Sequence, residues 1–365
     1  MRHGAHLCAM LNLRFSQRAL RFNFSARTSR GALAEHAAWY LHLADDTLPD
    51  VEGIGEAAPL AGLSPDYGPD FPKVIAGLCE RFNAGALTAF TAADAPAFVG
   101  LGLPALTFAL ETAALDLARG GRHELYSNAF SRGEAALPIN GLVWMGDAAF
   151  MREQIQQKLV AGYSCLKLKI GGLDFVTELS LLAEIRAVAP PERLTLRVDA
   201  NGAFAPAEAL AKLAQLAAFD IHSIEQPIAA GQAAALAALC RTSPIPIALD
   251  EELIGVTKPA QQAALLDAVR PAYIVLKPTL LGGHAATRQW IALAEARGIG
   301  WWITSALESN VGLNAVAQLT GEYDVRGFAQ GLGTGQLYHN NLAAPLHISG
   351  GALRYAPEGT WETPG

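Results

Sequence analysis

The chain has 365 residues, 51% of them apolar and 17% charged, with a formal net charge of −7. That composition supports a large buried core and excludes a disordered chain. The acidic balance, with no basic stretch to offset it, argues against a nucleic-acid binder, and no apolar run reaches the roughly 18 residues of a membrane-spanning helix. The opening MRHGAHLCAMLNLRFSQ has too short an apolar stretch for a secretory signal. Cys8, Cys79, Cys165 and Cys240 show neither CxxC nor Cys/His spacing, as expected of reduced thiols. We therefore expect a cytoplasmic protein with no membrane partner.

From about 10 to 56 the pattern alternates, and LNLRFS, ALRFNFS, AAWYLHLA and GIGEAAP read as short antiparallel strands. Helical periodicity follows in FPKVIAGLCERF and LPALTFALETAALDLARG. Strands followed by helices predict an α+β domain over residues 1–125. Within it, the stretch FSARTSRGAL carries Arg27, Ser29 and Arg30. It is either a solvated basic turn or a place where guanidinium groups hold a carboxylate.

Past a Gly/Ser/Pro-bearing connection near 120–137 the chain changes to strict strand–helix alternation. Strands are predicted at 138–144, 165–170, 194–199, 221–225, 246–250, 273–277, 299–304 and 327–331, with helices such as 147–161, 206–218 and 282–297 between them. No helix follows the last strand. The pattern predicts an α/β barrel over 126–339, with a tail from about 340 to 365 packing back on the N-terminal domain.

Five charged residues stand at the ends of consecutive strands. Lys169, Asp199, Glu225, Asp250 and Lys277 close CLKLK, LTLRVD, HSIE, IPIALD and YIVLK, in steps of 30, 26, 25 and 27 residues. Each step is about one strand–helix unit, so all five reach one side of a barrel mouth. A lone Asp after a strand is often a helix cap, but three carboxylates on successive strands cannot share a small site while ionised unless cations compensate them. An oxygen-only donor set with no histidine at a matching strand end favours Mg²⁺ or Mn²⁺ over zinc. Lys167 and Lys169 lie two apart in one strand and point to the same face. Their proximity to each other and to a metal predicts a lowered pKa and an amine available as a base. Lys277, four strands further round, faces Lys169 across the carboxylates. Such a site suits abstraction of a proton α to a carboxylate, with the enediolate stabilised by a metal.

KLKIGG, LRVDANGAF, IEQPI, ALDEEL, IVLKPTLLGG and TSALESNVGLNAVAQ resemble the successive signatures of the enolase superfamily, in particular its muconate-lactonizing subgroup. The resemblance covers essentially the whole chain. It implies a (β/α)7β modified TIM barrel under an α+β capping domain, with Asp199, Glu225 and Asp250 as Mg²⁺ ligands. It implies Lys169 and Lys277 on the two sides of the substrate, Lys167 orienting Lys169, and Glu251 and Asn201 supporting the ligands from behind.

Members of the subgroup differ in what surrounds the substrate. Gly331-Leu332-Gly333 stands where dipeptide epimerases carry Asp-x-Asp, so a cationic α-amino substrate lacks its partner here. GLGTGQLYHNN instead offers the backbone N–H groups of Gly331 and Gly333 to an anionic arm. Ser305 and Asn310 are candidate substrate contacts or caps. TSRG, SALESNVGLNAVAQ and GLGTGQLYHNN resemble the dehydratase branch of the subgroup, whose substrate is a dianionic cyclohexadiene carboxylate of menaquinone biosynthesis. A racemase of N-acylated amino acids would use the same five residues and is the alternative. A reading from another class is a metal-binding protein without turnover. His284, with no partner evident in the sequence, is expected at the surface, and Trp301 and Trp302 are expected to pack in the core.

Overall fold

The computed structural model describes residues 10–28 and 31–365, and the side chains of residues 10–24 and 34–365. Two long strands, β1 (Leu11–Thr28) and β2 (Gly31–Asp45), form an antiparallel ladder, and β3 (Glu52–Ala57) pairs with the other edge of β2. Period-two alternation sends Trp39, Leu41 and Leu43 to one face of β2 and Ala38 and Tyr40 to the other. The first face packs on α1 (Phe71–Ala84), α2 (Ala95–Val99) and α3 (Pro104–Ala118). The second meets Val311, Leu337, Tyr338 and Leu342, which belong to the barrel side of the molecule. With both faces covered, β2 needs apolar residues at successive positions, which is why AAWYLHLA alternates so poorly.

Helix α3 is wedged between this sheet and the barrel, so it is apolar nearly all round and buried along almost its whole length. It can approach β3 because Gly55 has no side chain. A Cβ there would stand 1.9 Å from the Ala109 carbonyl oxygen.

After β4 (Leu137–Pro138) come seven parallel strands, each hydrogen-bonded to the next in chain order: β5 (Gly141–Val143), β6 (Cys165–Lys169), β7 (Thr195–Asp199), β8 (Ile221–Glu225), β9 (Ile247–Leu249), β10 (Tyr273–Leu276) and β11 (Gly300–Ile303). Helices α4 (Ala148–Val160), α5 (Phe175–Val188), α6 (Pro206–Leu216), α7 (Ala233–Thr242), α8 (Pro259–Val269), α9 (Pro278–Leu281), α10 (Gly283–Glu295) and α11 (Asn310–Thr320) follow the strands. The segment 327–331, expected as an eighth strand, contributes only Gln330 and Gly331. Those two residues close the ring. Gln330 N–H donates to Pro138 O (2.8 Å) and its carbonyl accepts from Asn140 (2.9 Å), while Gly331 N–H donates to Ile303 O (2.8 Å) and its carbonyl accepts from Ser305 (3.0 Å). A 3₁₀ turn at Thr334–Gln336 follows in place of an eighth helix.

The large core lies between the strands and their helices. Inside the barrel, below the mouth, the Arg197 guanidinium stacks between Trp302 (4.4 Å) and Phe328 (4.3 Å). Trp302 is thus buried in the interior, whereas Trp301 turns outward against Tyr323. The tail divides. Its hairpin, β12 (Leu346–Ser349) and β13 (Ala352–Tyr355), adds to the free edge of β4, while residues on both sides of the hairpin reach the N-terminal domain, Asn340 and Leu342 before it and the last residues after it. There Trp361 packs on His123 (4.4 Å) and Glu362 pairs with Arg18 (2.8 Å).

Two buried glutamates of the N-terminal domain dock on helix starts of the barrel. Glu56, at the end of β3, accepts the N–H groups of Ser309 (2.7 Å) and Gly312 (2.7 Å) and the Ser309 hydroxyl (2.5 Å) at the start of α11. Glu111 of α3 accepts from His284 and Ala285 N–H at the start of α10. A helix N-terminus favours a carboxylate through its unpaired N–H groups and its dipole. His284, expected at the surface, is buried in the same seam between the hydroxyls of Thr112 (3.0 Å) and Tyr126 (3.0 Å). Its partners lie more than 150 residues away in the chain, beyond the reach of local pattern. Among the described residues no helix is long and apolar enough to cross a membrane.

Candidate active site

The strand ends deliver the charged ladder to one place. Lys167 and Lys169 share a face of β6, Asp199 and Glu225 close β7 and β8, and Asp250 and Lys277 follow β9 and β10 directly. Asp199, Glu225 and Asp250 are fully buried. Lys167 Nζ lies 2.9 Å from Asp199 Oδ2 and 2.5 Å from Glu225 Oε2, Lys169 Nζ is 2.6 Å from Asp199 Oδ2, and Lys277 pairs with Asp250. Lys169 also donates to Asn201 Oδ1 (2.8 Å), whose amide donates to Glu251 Oε1 (3.1 Å). Asn201 reaches back to Lys169 because its backbone is left-handed (φ 43°), a conformation that Asn tolerates better than most residues.

The electrostatics differ from the lowered lysine values expected above. Burial by itself would depress Lys167, but Asp199, Glu225 and Asp250 outweigh it and hold the ammonium above its ordinary value. Lys277 is raised in the same way, with burial opposed by Asp250, Glu225 and Glu251. Asp199 is held low despite its burial, because Lys167 and Lys169 both face it. Glu225 goes the other way: burial, then the charge of Asp199, push it well above the carboxylate range. The lowered value was expected from a neighbouring ammonium and a nearby metal together; the carboxylates by themselves act in the opposite direction.

The donor set fits a hard cation. Three buried carboxylates arrive from adjacent strands with no nitrogen or sulfur ligand among them, as Mg²⁺ or Mn²⁺ prefers. Glu225 Oε2 is in ion-pair contact with Lys167 at an angle outside hydrogen bonding, and Glu225 Oε1 is buried with no hydrogen-bond partner. Among the described residues no three acidic, His or Cys groups already stand in a finished coordination shell. The ammonium groups of Lys167 and Lys277 neutralise the carboxylates instead.

Above the ladder lies a cavity of about 360 Å³. Its floor is Lys167, Lys169, Asn201, Glu251 and Lys277, and its apolar walls include Phe24, Leu60, Leu63, Trp144 and Phe150. Ser305 and Gly333 line it, as does Gly331. The Gly331 N–H, however, is spent on barrel closure and is not offered to an anion. Asn310 departs from expectation as well. Its amide donates to Leu342 O (2.6 Å) and its backbone N–H to Asn341 (3.0 Å), so it fastens the segment before the tail and does not line the cavity. Ser305 donates to Glu308 Oε2 (2.5 Å) and contacts the Thr334 hydroxyl (2.5 Å). Arg27 stands in β1, but its side chain, like Ser29 and Arg30 entirely, lies outside the described residues. The wall residues Trp144 and Phe150 and the lysine Lys158 escaped the sequence reading, because nothing local sets a cavity wall apart from core.

Residues 150–360 match the enolase C-terminal domain-like family. An o-succinylbenzoate synthase of Desulfotalea psychrophila is 48% identical over 94% of this chain and 98% of that protein. The crystal structure of MenC from the same organism superposes with a TM-score of 0.83 at 45% identity, covering 94% of this chain and 99% of that one. A muconate lactonizing enzyme from Pseudomonas fluorescens, in complex with muconolactone, shares the fold with a TM-score of 0.81 at 23% identity over 97% of both chains. The chain belongs to the enolase superfamily.

Proposed function

We propose that this protein dehydrates 2-succinyl-6-hydroxy-2,4-cyclohexadiene-1-carboxylate to 2-succinylbenzoate, a step of menaquinone biosynthesis. The carrying observation is the convergence of Lys169, Lys277 and three buried carboxylates on one cavity, in a chain so similar to an o-succinylbenzoate synthase. Asp199, Glu225 and Asp250 would hold Mg²⁺, for which Mn²⁺ could substitute, and the ion would supply charge neutralisation for the enediolate.

The residues divide the remaining work. Lys169, as the free amine, takes the ring proton α to the carboxylate. Lys277, as the ammonium, faces the other side and stabilises the negative charge that develops. The electron pair left at the α-carbon forms the new ring double bond as the β-hydroxyl departs. The Lys169 ammonium gives its proton to that hydroxyl, which leaves as water, and the ring becomes aromatic. Lys167 sets the position of Lys169 through the Asp199 oxygen that both contact. Asn201 and Glu251 fix the same amine from the opposite side. The apolar walls exclude water from the ring.

The test is turnover of the cyclohexadiene substrate, followed by the absorbance of the aromatic product, with Mg²⁺ and after EDTA. Turnover should need the ion and return when it is restored. Asp199→Asn, Glu225→Gln and Asp250→Asn should each remain folded and lose calorimetric Mg²⁺ affinity. Wild-type affinity in all three variants would overturn the ligand assignment.

A further inference from the structure

The turn that leaves β11 forms one wall of the cavity, which Thr304, Ser305, Ala306 and Leu307 all line. Leu307 has a left-handed backbone (φ 70°), which a bulky side chain rarely adopts and which persists only where the surroundings over-determine it. Two side chains do so here. The Tyr338 hydroxyl donates to the Leu307 carbonyl (2.6 Å), and Glu308 Oε2 accepts the Ala306 N–H (2.7 Å) and the Ser305 hydroxyl (2.5 Å). Glu308 is fully buried behind the lining and is not part of it.

The other oxygen of Glu308 leads to a different loop. Glu308 Oε1 accepts the Thr279 hydroxyl (2.7 Å), and Thr279 stands two residues after Lys277, in the turn that follows β10. That turn opens on the Lys277 carbonyl, which accepts the N–H groups of Leu280 (2.9 Å) and Leu281 (3.1 Å). Leu280 packs in one apolar cluster with Ala306 and Leu307. One carboxylate thus ties the loop bearing Lys277 to the loop after the next strand. A buried carboxylate whose partners are all neutral is costly, and the cost is offset only while its three donors stay in place. The carboxylate fixes them in turn.

We infer that Glu308 is a positioning residue for Lys277: through the Thr279 hydroxyl it sets the backbone from which the lysine reaches the substrate. This rests on the proposed reaction, in which Lys277 stabilises the developing charge, and adds a group that never touches the substrate. A lysine stem is long and flexible, so its ammonium is aimed by where its backbone starts as well as by the ion pair with Asp250. Asp250 is also a proposed metal ligand. The ion pair is therefore not a permanent anchor, and the backbone must be one.

The test uses the full-length protein with Mg²⁺. Thr279→Val removes the hydroxyl at nearly constant shape. It should lower kcat by about 3- to 10-fold with little change in KM, as for a small misplacement of a group that acts in the transition state. Thr279→Ser should recover most of that loss. Glu308→Ala should cost about 10- to 100-fold in kcat, and Glu308→Gln, which can still meet both hydroxyls, less than that. In a Lys277→Ala background Thr279→Val should cost nothing further, because the group it positions is gone; a purely structural role would multiply instead. The crystal structure of Thr279→Val should show the Lys277 ammonium shifted from its place beside Asp250, whatever the protein turns over. Wild-type kcat in Thr279→Val, full multiplication with Lys277→Ala, or an unmoved Lys277 in that structure overturns the inference. If Glu308→Ala fails to fold, the Thr279 variants decide. If wild type dehydrates nothing while Lys277 moves in Thr279→Val, the proposed reaction fails and the positioning stands.

Discussion

The molecule buries two sets of carboxylates, and they are satisfied in opposite ways. At the barrel mouth Asp199, Glu225 and Asp250 face lysine ammonium groups on side chains that can move. At the seam between the domains Glu56 and Glu111 face backbone N–H groups at the starts of α11 and α10, which are fixed by the helices themselves. A charge neutralised by a mobile ammonium can exchange that partner for a metal ion or a substrate. A charge neutralised by a helix end cannot, and it serves to hold two domains in register. Burial is the same in both places, so the partner decides whether a carboxylate does chemistry or architecture.

The largest effect should come from breaking the mobile set. Lys169→Ala should abolish dehydration and solvent exchange of the α-proton, a loss of at least about 10²–10⁴ in kcat for a removed general base. Lys277→Ala should cost about 10²–10³ through lost stabilisation of the developing charge. Without Mg²⁺ both should unfold below the wild-type midpoint, because each leaves a buried carboxylate with one ammonium partner fewer. Steady-state kinetics beside thermal unfolding checks this, and Lys169→Ala turning over within tenfold of wild type would call for another base.

Breaking the fixed set should change stability and its pH dependence. Burial first, and the charge of Glu308 besides, push Glu56 up to about 7 against the hydrogen bonds from Ser309 and Gly312; burial does the same to Glu111. In the unfolded chain either group titrates near the ordinary carboxylate value. Between that value and about 7 the folded protein therefore holds more protons, and each group's contribution to stability declines as pH rises through that window. The effect is on the order of 3 kcal/mol per group if the shift is fully expressed. Urea unfolding at pH 5 and pH 8 should show Glu56→Gln gaining on wild type as pH rises. A constant difference between the two proteins would refute this.

The smallest effect sharpens the contrast. Arg152 and Glu184 form a bidentate pair (2.8 Å for both contacts) on the solvent side of α4 and α5, where water and salt already screen each charge. Arg152→Ala should leave the unfolding midpoint and kcat/KM indistinguishable from wild type in matched assays.

The mobile set was legible in the sequence and the fixed set was not. Strand ends repeat at a regular step, so Lys169, Asp199, Glu225, Asp250 and Lys277 announce one another. Glu56, Glu111 and His284 find partners by domain docking, more than 150 residues along the chain, and nothing near them records it. Asn310 and Gly331 looked like substrate contacts because they follow β11 and close the barrel. Their hydrogen-bonding groups are consumed by the fold instead, Asn310 by Leu342 and Gly331 by Ile303.

The ring of strands has one narrow join. Between β11 and β5 no full strand intervenes, and the wall there depends on the backbone of Gln330 and Gly331 alone. The outer edge of β5 beyond that join is occupied by the Gln154 side chain in place of a neighbouring backbone. The join is also a stretch of the cavity wall, so a substitution that displaced Gly331 would be felt in the cavity before it reached the strands that bear the charged residues.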